Sequence, residues 1–172
     1  MNLMLCYMQK KWIFQHCWRN ASNGLCTVAF FMLLILPLGA RAQQQPLPCT
    51  SYQGQTVQYI ANPQLGDVGM ATYYNQRPVI IINPIILNQF SPLVQQWWFA
   101  HECGHHALNP IDNSEVAADC FAGRALRSLG YIYDLESLNQ VMREISGLPG
   151  NAFTGHLPGR GRASVVRSCV LQ

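Results

Sequence analysis

From Thr56 to Asn83 the chain runs in short apolar stretches broken by turn residues. "TVQYIA", "MATYY" and "VIIIN" are separated by "NPQLGDVG" and "NQRP". Runs this short, rich in β-branched and aromatic residues and bounded by Asn, Pro and Gly, predict strands. The Asn-Gln-Arg-Pro link predicts a hairpin between the last two. Beyond Pro84 the spacing becomes helical. "PIILNQF" predicts a short helix, and "SPLVQQWWFAHECGHHALN" opens with Ser91 as N-cap and Pro92 at the first helical position. After the polar loop "NPIDN", the stretch "SEVAADCFAGRALRSLG" predicts a helix capped by Asn113 or Ser114 and ending at Gly130. A further helix is expected from about Asp134 to Ser146, and a Gly/Pro-rich tail leads into a short terminal helix. Strands followed by helices, without an internal repeat, indicate an α+β fold: a small N-terminal antiparallel β-sheet or hairpin and then a helical core.

The first quarter of the chain does not share this pattern. Lys10, Lys11 and Arg19 precede the apolar run "VAFFMLLILPL", and "GARAQ" follows it with small residues at Ala40 and Ala42. That order describes a cleaved export signal over residues 1–42, with an uncleaved anchor as the alternative. The run is shorter than the roughly 20 residues a membrane-spanning helix needs. The expected organisation is a signal peptide (1–42), a flexible segment (43–55) whose start, "QQQPLP" (43–48), has no packing role, and a single domain (56–172). The expected location is periplasmic or secreted, with no membrane span left after cleavage.

The division changes the charge and cysteine arithmetic. The whole chain has 11 Lys+Arg and 8 Asp+Glu, but Lys10, Lys11, Arg19 and Arg41 lie before Gln43, leaving 7 arginines against 8 acids. No basic patch with interleaved aromatics remains, which argues against nucleic acid as a partner. Four of the 7 cysteines lie beyond the leader: Cys49, Cys103, Cys120 and Cys169. An even number in an exported chain implies two disulfides with three possible pairings. The nested pairing, Cys49–Cys169 around Cys103–Cys120, is the expectation.

The candidate chemistry sits in "FAHECGHHALN". His101, Glu102 and His105 form H-E-x-x-H, and helical positions i and i+4 lie about 40° apart around the axis, so both imidazoles can reach one ion. Glu102, beside the first ligand, would face the open side as general base. Cys103, about 200° from His101, cannot reach the same ion. His106, about 140° from His101, reads as a structural or supporting residue rather than a ligand. Gly104 leaves room for close approach on one flank. A third ligand must come from elsewhere, and Glu115 and Asp119 are again i and i+4 on the next helix. One can bind the metal while the other orients a ligand histidine.

"HECGHH…SEVAADCFA" resembles the gluzincin metallopeptidases, in which H-E-x-x-H is followed by E-x-x-x-D on the next helix. It is most similar to the minigluzincins and to the peptidase core of the CaaX-processing membrane proteases. The resemblance covers roughly residues 70–167. It implies a zincin core in which His101, His105 and Glu115 hold one Zn²⁺ and Asp119 supports a ligand. The interval between the motifs is much shorter here than in the membrane proteases, which demands tightly antiparallel helices and would suit a Cys103–Cys120 bridge. The family's late His…Arg element matches His156 and Arg162. It implies that both donate to the oxyanion or to the substrate backbone, against the alternative of an exposed loop histidine. "MATYYNQRPVIIINP" is similar to the family's hairpin before the active-site helix, whose outer strand receives an extended peptide.

Three functions follow as expectations. The first is a small exported zinc metallopeptidase acting on a peptide or protein, with catalytic Glu102, His156 and Arg162. The second is a zinc-stabilised binding module of the same fold without turnover. The third is a disulfide-held domain without metal. Substrate identity and oligomeric state have no signal in the chain.

Overall fold

Asn75 and Gln76 both take positive φ, 47° and 61°. Two consecutive left-handed residues make the type I′ turn whose twist matches that of a two-residue hairpin. In the computed structural model, which describes residues 45–150 and 155–172, this turn joins β2 (Gly69–Tyr74) to β3 (Arg77–Ile82). Tyr74 stands opposite Arg77 and Gly69 opposite Ile82 in an antiparallel ladder.

The remaining strand corrects the expectation of an antiparallel sheet. β1 (Gln58–Ala61) pairs with β3 in parallel, and the strand order is β1-β3-β2. "NPQLGDVG" is too long for a tight hairpin, so β2 does not fold back on β1 but takes the far side of β3. That leaves β2 as an edge. The central position of β3 accounts for its apolar run, in which Val79, Ile80 and Ile82 are buried.

Five helices follow among the described residues: α1 (Pro84–Leu87), α2 (Pro92–Ala107), α3 (Glu115–Ser128), α4 (Leu135–Ser146) and α5 (Gly159–Leu171). Ser91 accepts from the Val94 amide ahead of α2, and Ser114, rather than Asn113, caps α3 through the Ala117 amide. Asp134 and Ser137 form a reciprocal capping box on α4. α2 is the central element. It packs against β2, β3, α3 and α4 and is buried continuously from Val94 to Gly104. Trp97 and Trp98 are essentially inaccessible, and each large apolar side chain so buried contributes about 1.5–3 kcal/mol. α5 closes the helical layer against α3 and α4.

The entry segment has a packing role, contrary to expectation. The Gln45 carbonyl accepts from Gln96 Nε2 at 2.9 Å, and the Leu47 carbonyl accepts from the Tyr59 hydroxyl at 2.9 Å. Cys49 is buried and is bridged to Cys103, and the second disulfide joins Cys120 to Cys169. The nested pairing is therefore wrong. α2 meets α3 through Gly104, where an added Cβ would lie 3.1 Å from the Ala118 Cα. Cys103, one position earlier, is rotated about 100° off that contact toward the entry segment. Cys120 faces α5 instead. Proximity along the chain suggested a Cys103–Cys120 bridge, and the helical faces forbid it.

The expected leader lies outside the described residues. Among those described, no helix is long and apolar enough to cross a membrane.

Candidate metal centre

α2 and α3 present their polar residues in opposite order. His105 Nε2 is 3.3 Å from Glu115 Oε1, and one turn earlier on α2 His101 Nδ1 is 2.9 Å from Asp119 Oδ1, one turn later on α3. Pairs that run in opposite directions are what antiparallel helices produce. Gly104 makes this spacing possible, because its missing side chain lets α3 come close enough for both carboxylates to reach the histidines.

Three donors converge. His101 Nε2 is 3.3 Å from His105 Nε2 and 3.4 Å from Glu115 Oε2. Glu115 meets the two rings through different oxygens, Oε2 toward His101 and Oε1 toward His105, and each contact is close to the edge of about 3.3–3.4 Å that a tetrahedral ion with bonds of about 2.0–2.1 Å requires. His156 Nε2 joins the group at 3.6 Å from Glu115 Oε2, and donor atoms of all four residues lie within 4.8 Å of one another. The described His/Glu group could therefore hold a metal ion.

The outer nitrogens of the three rings are held in the same way. His101 Nδ1 meets Asp119, His105 Nδ1 lies 2.9 Å from Asn113 Oδ1, and His156 Nδ1 lies 3.0 Å from Asp67 Oδ2. An acceptor on Nδ1 keeps a proton there and turns Nε2 toward the centre, which is how metal-ligating histidines are oriented. Asn113 also donates from Nδ2 to the His105 carbonyl, so both faces of its amide serve that residue. Two buried carboxylate oxygens, Glu102 Oε1 and Glu115 Oε2, have no hydrogen-bond partner. Buried acceptors of this kind are costly unless a cation or a polar ligand compensates them, and both belong to this cluster.

Electrostatics follow from the same contacts. Burial alone would raise the Glu115 carboxyl, but the neighbouring His101 and His105 rings outweigh it and hold the group well below the usual range. Asp119 behaves likewise: burial is opposed and overcome by His101 and Arg162. Burial would lower His105, yet Glu115 and Asn113 carry it above its ordinary value. His106 stands apart. Its Nε2 donates to the Val79 carbonyl at 3.0 Å, and burial pushes its pKa down, as befits a neutral ring docking α2 on the sheet.

Arg162 is drawn into the interior beside Asp119 and His101. It is 1% exposed, binds Asp119 through Nε at 3.1 Å and Nη2 at 2.8 Å, and has its guanidinium carbon 4.8 Å from both the Trp97 and Trp98 ring centres. A buried guanidinium needs a carboxylate partner, and Asp119 supplies it, while Arg162 Nη2 also lies 3.1 Å from His101 Nδ1 and 3.2 Å from His101 Nε2. His156 is buried rather than an exposed loop residue. Trp97 stacks on His101 at 5.4 Å, and Trp98 packs edge-on against both His101 and His156.

A cleft of about 460 Å³ opens over the cluster, lined by β2 from Gly69 to Tyr73 and by Glu102, His105, Glu115 and His156. Two residues of this arrangement carry no sequence signal. Asn113 was legible only as a possible cap, and Asp67 only as part of a turn. Comparisons with family models, with curated proteins and with solved structures find no match to this chain.

Proposed function

We propose that the chain is a small exported zinc-dependent metallopeptidase of the gluzincin kind. The observation that carries this reading is the convergence of His101, His105 and Glu115 beside Glu102 Oε1, which has no hydrogen-bond partner, with Glu102, His105 and Glu115 lining one cleft. His101, His105 and Glu115 would hold the ion. When bound, zinc supplies a Lewis acid that makes water nucleophilic near neutral pH and polarises a carbonyl. Glu102 takes a proton from the attacking water and delivers it to the amine nitrogen as the peptide C–N bond breaks. His156, when doubly protonated, donates Nε2–H to the carbonyl oxygen as it gains charge. Asp119 and Asn113 hold the ligand rings, and Arg162 holds Asp119. The edge strand β2 offers unpaired backbone groups along the cleft, suited to an extended peptide added as a further strand. Two disulfides fit an oxidising, exported setting.

The test is zinc content together with cleavage of a peptide library by the wild type and by Glu102→Gln. One zinc in both proteins, with turnover abolished in the variant, is the expected outcome. Wild-type turnover in Glu102→Gln would sink the mechanism.

A second reading has one observation in its favour. His156 is close enough to complete a set of four protein donors, and such a closed set is the mark of a structural site. A zinc-stabilised binding module would bind one zinc, lose stability to chelators and cleave nothing in the library.

A further inference from the structure

The turn "LGDVG" (65–69) has entered so far only through the Asp67–His156 contact and the start of β2, yet it touches both groups that would face the reacting atoms. Asp67 uses its two oxygens differently. Oδ1 accepts from the Val68 amide at 2.7 Å and Oδ2 accepts from His156 Nδ1 at 3.0 Å, across 89 positions of chain. Two residues on, Gly69 starts β2 beside Glu102. A Cβ on Gly69 would lie 2.8 Å from Glu102 Cγ and 2.9 Å from its Oε1, so the Glu102 carboxylate occupies space that any side chain at 69 would take. The corner is itself anchored. The Asn83 amide nitrogen donates to the Val68 carbonyl at 3.0 Å, and Asn83 Nδ2 donates to the carbonyls of Leu65 and Pro63 at 2.7 and 3.2 Å. Asn83 also caps α1 with its side-chain oxygen.

We propose that the corner Asp67–Gly69 is the positioning element of the cleft, setting the ring of His156 through Asp67 and the rotamer of Glu102 through the missing side chain of Gly69. Its catalytic consequence rests on the metallopeptidase reading; the positioning itself does not. Asp67 acts by holding a proton on Nδ1, which keeps Nε2 directed at the cluster. Gly69 acts by vacancy: Glu102 can lie flat against the strand and remain beside the ligands. Because both residues sit on one anchored corner that leads into the edge strand, the two groups and the strand keep a common frame.

The bonding pattern makes Asp67→Asn informative. If the asparagine oxygen keeps the Val68 amide, its NH₂ faces His156 Nδ1 and forces the proton onto Nε2. Nitrogen NMR of zinc-loaded protein with isotope-labelled histidine reads this directly. Wild type should show His156 protonated on Nδ1, and Asp67→Asn should show the Nε2–H tautomer with zinc binding retained. For Gly69→Ala, the carboxyl-carbon resonance of Glu102 should move while the zinc stoichiometry stays at that of wild type. Turnover, where present, should fall by about 10–100-fold in Asp67→Asn, in kcat more than in KM. An Nε2–H tautomer in the wild type overturns the Asp67 assignment before any variant is made. An unmoved His156 in Asp67→Asn, or an unmoved Glu102 resonance in Gly69→Ala, overturns the corresponding half. Absence of peptide cleavage with these resonances as expected defeats the peptidase reading and leaves the positioning role standing.

Discussion

At the scale of single residues, the centre is a set of histidines whose orientation is decided by what their outer nitrogens touch. Asp119 is the clearest case, because it joins His101 to the buried Arg162. Removing one partner from such a pair leaves an uncompensated charge and costs about 3–5 kcal/mol. Arg162→Met should therefore be strongly destabilised, and the pH dependence gives the sign. Asp119 and Glu115 are both held below their ordinary values of 3.8 and 4.5. Their stabilisation is fully present above about pH 4.5 and is lost as pH falls through the lowered values. In metal-free Arg162→Met, the acid loss that belongs to Asp119 should be smaller and be complete at higher pH than in wild type. Unfolding midpoints measured across pH 2–6 check this. An identical acid limb in both proteins would refute the role given to Arg162. Only its spacing from His156 was legible in the sequence. The His…Arg spacing was real, but spacing along a tail does not say which side of a helix the guanidinium reaches.

At the scale of elements, the site depends on how closely α2 and α3 approach. Gly104 sets that distance, with a hypothetical Cβ 3.1 Å from the Ala118 Cα and 3.3 Å from the Phe121 Cβ. The obstructing Ala118 atom is backbone and cannot step aside. Gly104→Ala must push the helices apart, at about 1–3 kcal/mol for an overpacked contact. It should also weaken metal binding, because Glu115 rides on the displaced helix while His101 and His105 do not. Zinc affinity from competition with a chromophoric chelator, set beside thermal stability, tests the coupling; a destabilised variant with unchanged affinity would break it. The caps, the I′ turn and most helix boundaries were legible beforehand because each is a local decision of a few residues. The parallel pairing of β1 was not, since nothing within β1 specifies which edge of β3 it joins.

At the scale of the whole molecule, a modest core is held by two disulfides that join the entry segment to α2 and α3 to α5. Each closes a span of about 50 residues, 54 and 49 in sequence separation, and each is worth about 2–4 kcal/mol. A bound ion would add to this by mass action, since the donors come from α2, α3 and the tail and exist as a set only in the folded chain. Zinc at about 100 times its dissociation constant should stabilise the fold by about 2.7 kcal/mol and raise Tm by several degrees. Chelator should reverse the gain, and His101→Ala should abolish the response. A Tm indifferent to zinc in the wild type would favour the metal-free domain.

The sequence by itself determined the α+β order, the hairpin, the helix that carries His101, Glu102 and His105, and the acidic pair on the next helix. These follow from short-range periodicity and from caps, which read a window no wider than one element. Only the tertiary structure decided the disulfide partners, the parallel edge of the sheet, the inward burial of Arg162 and the recruitment of Asp67 and Asn113. Each of these depends on which faces of distant elements meet, and that is settled by packing around α2, where a missing side chain at Gly104 or Gly69 counts as much as any residue present.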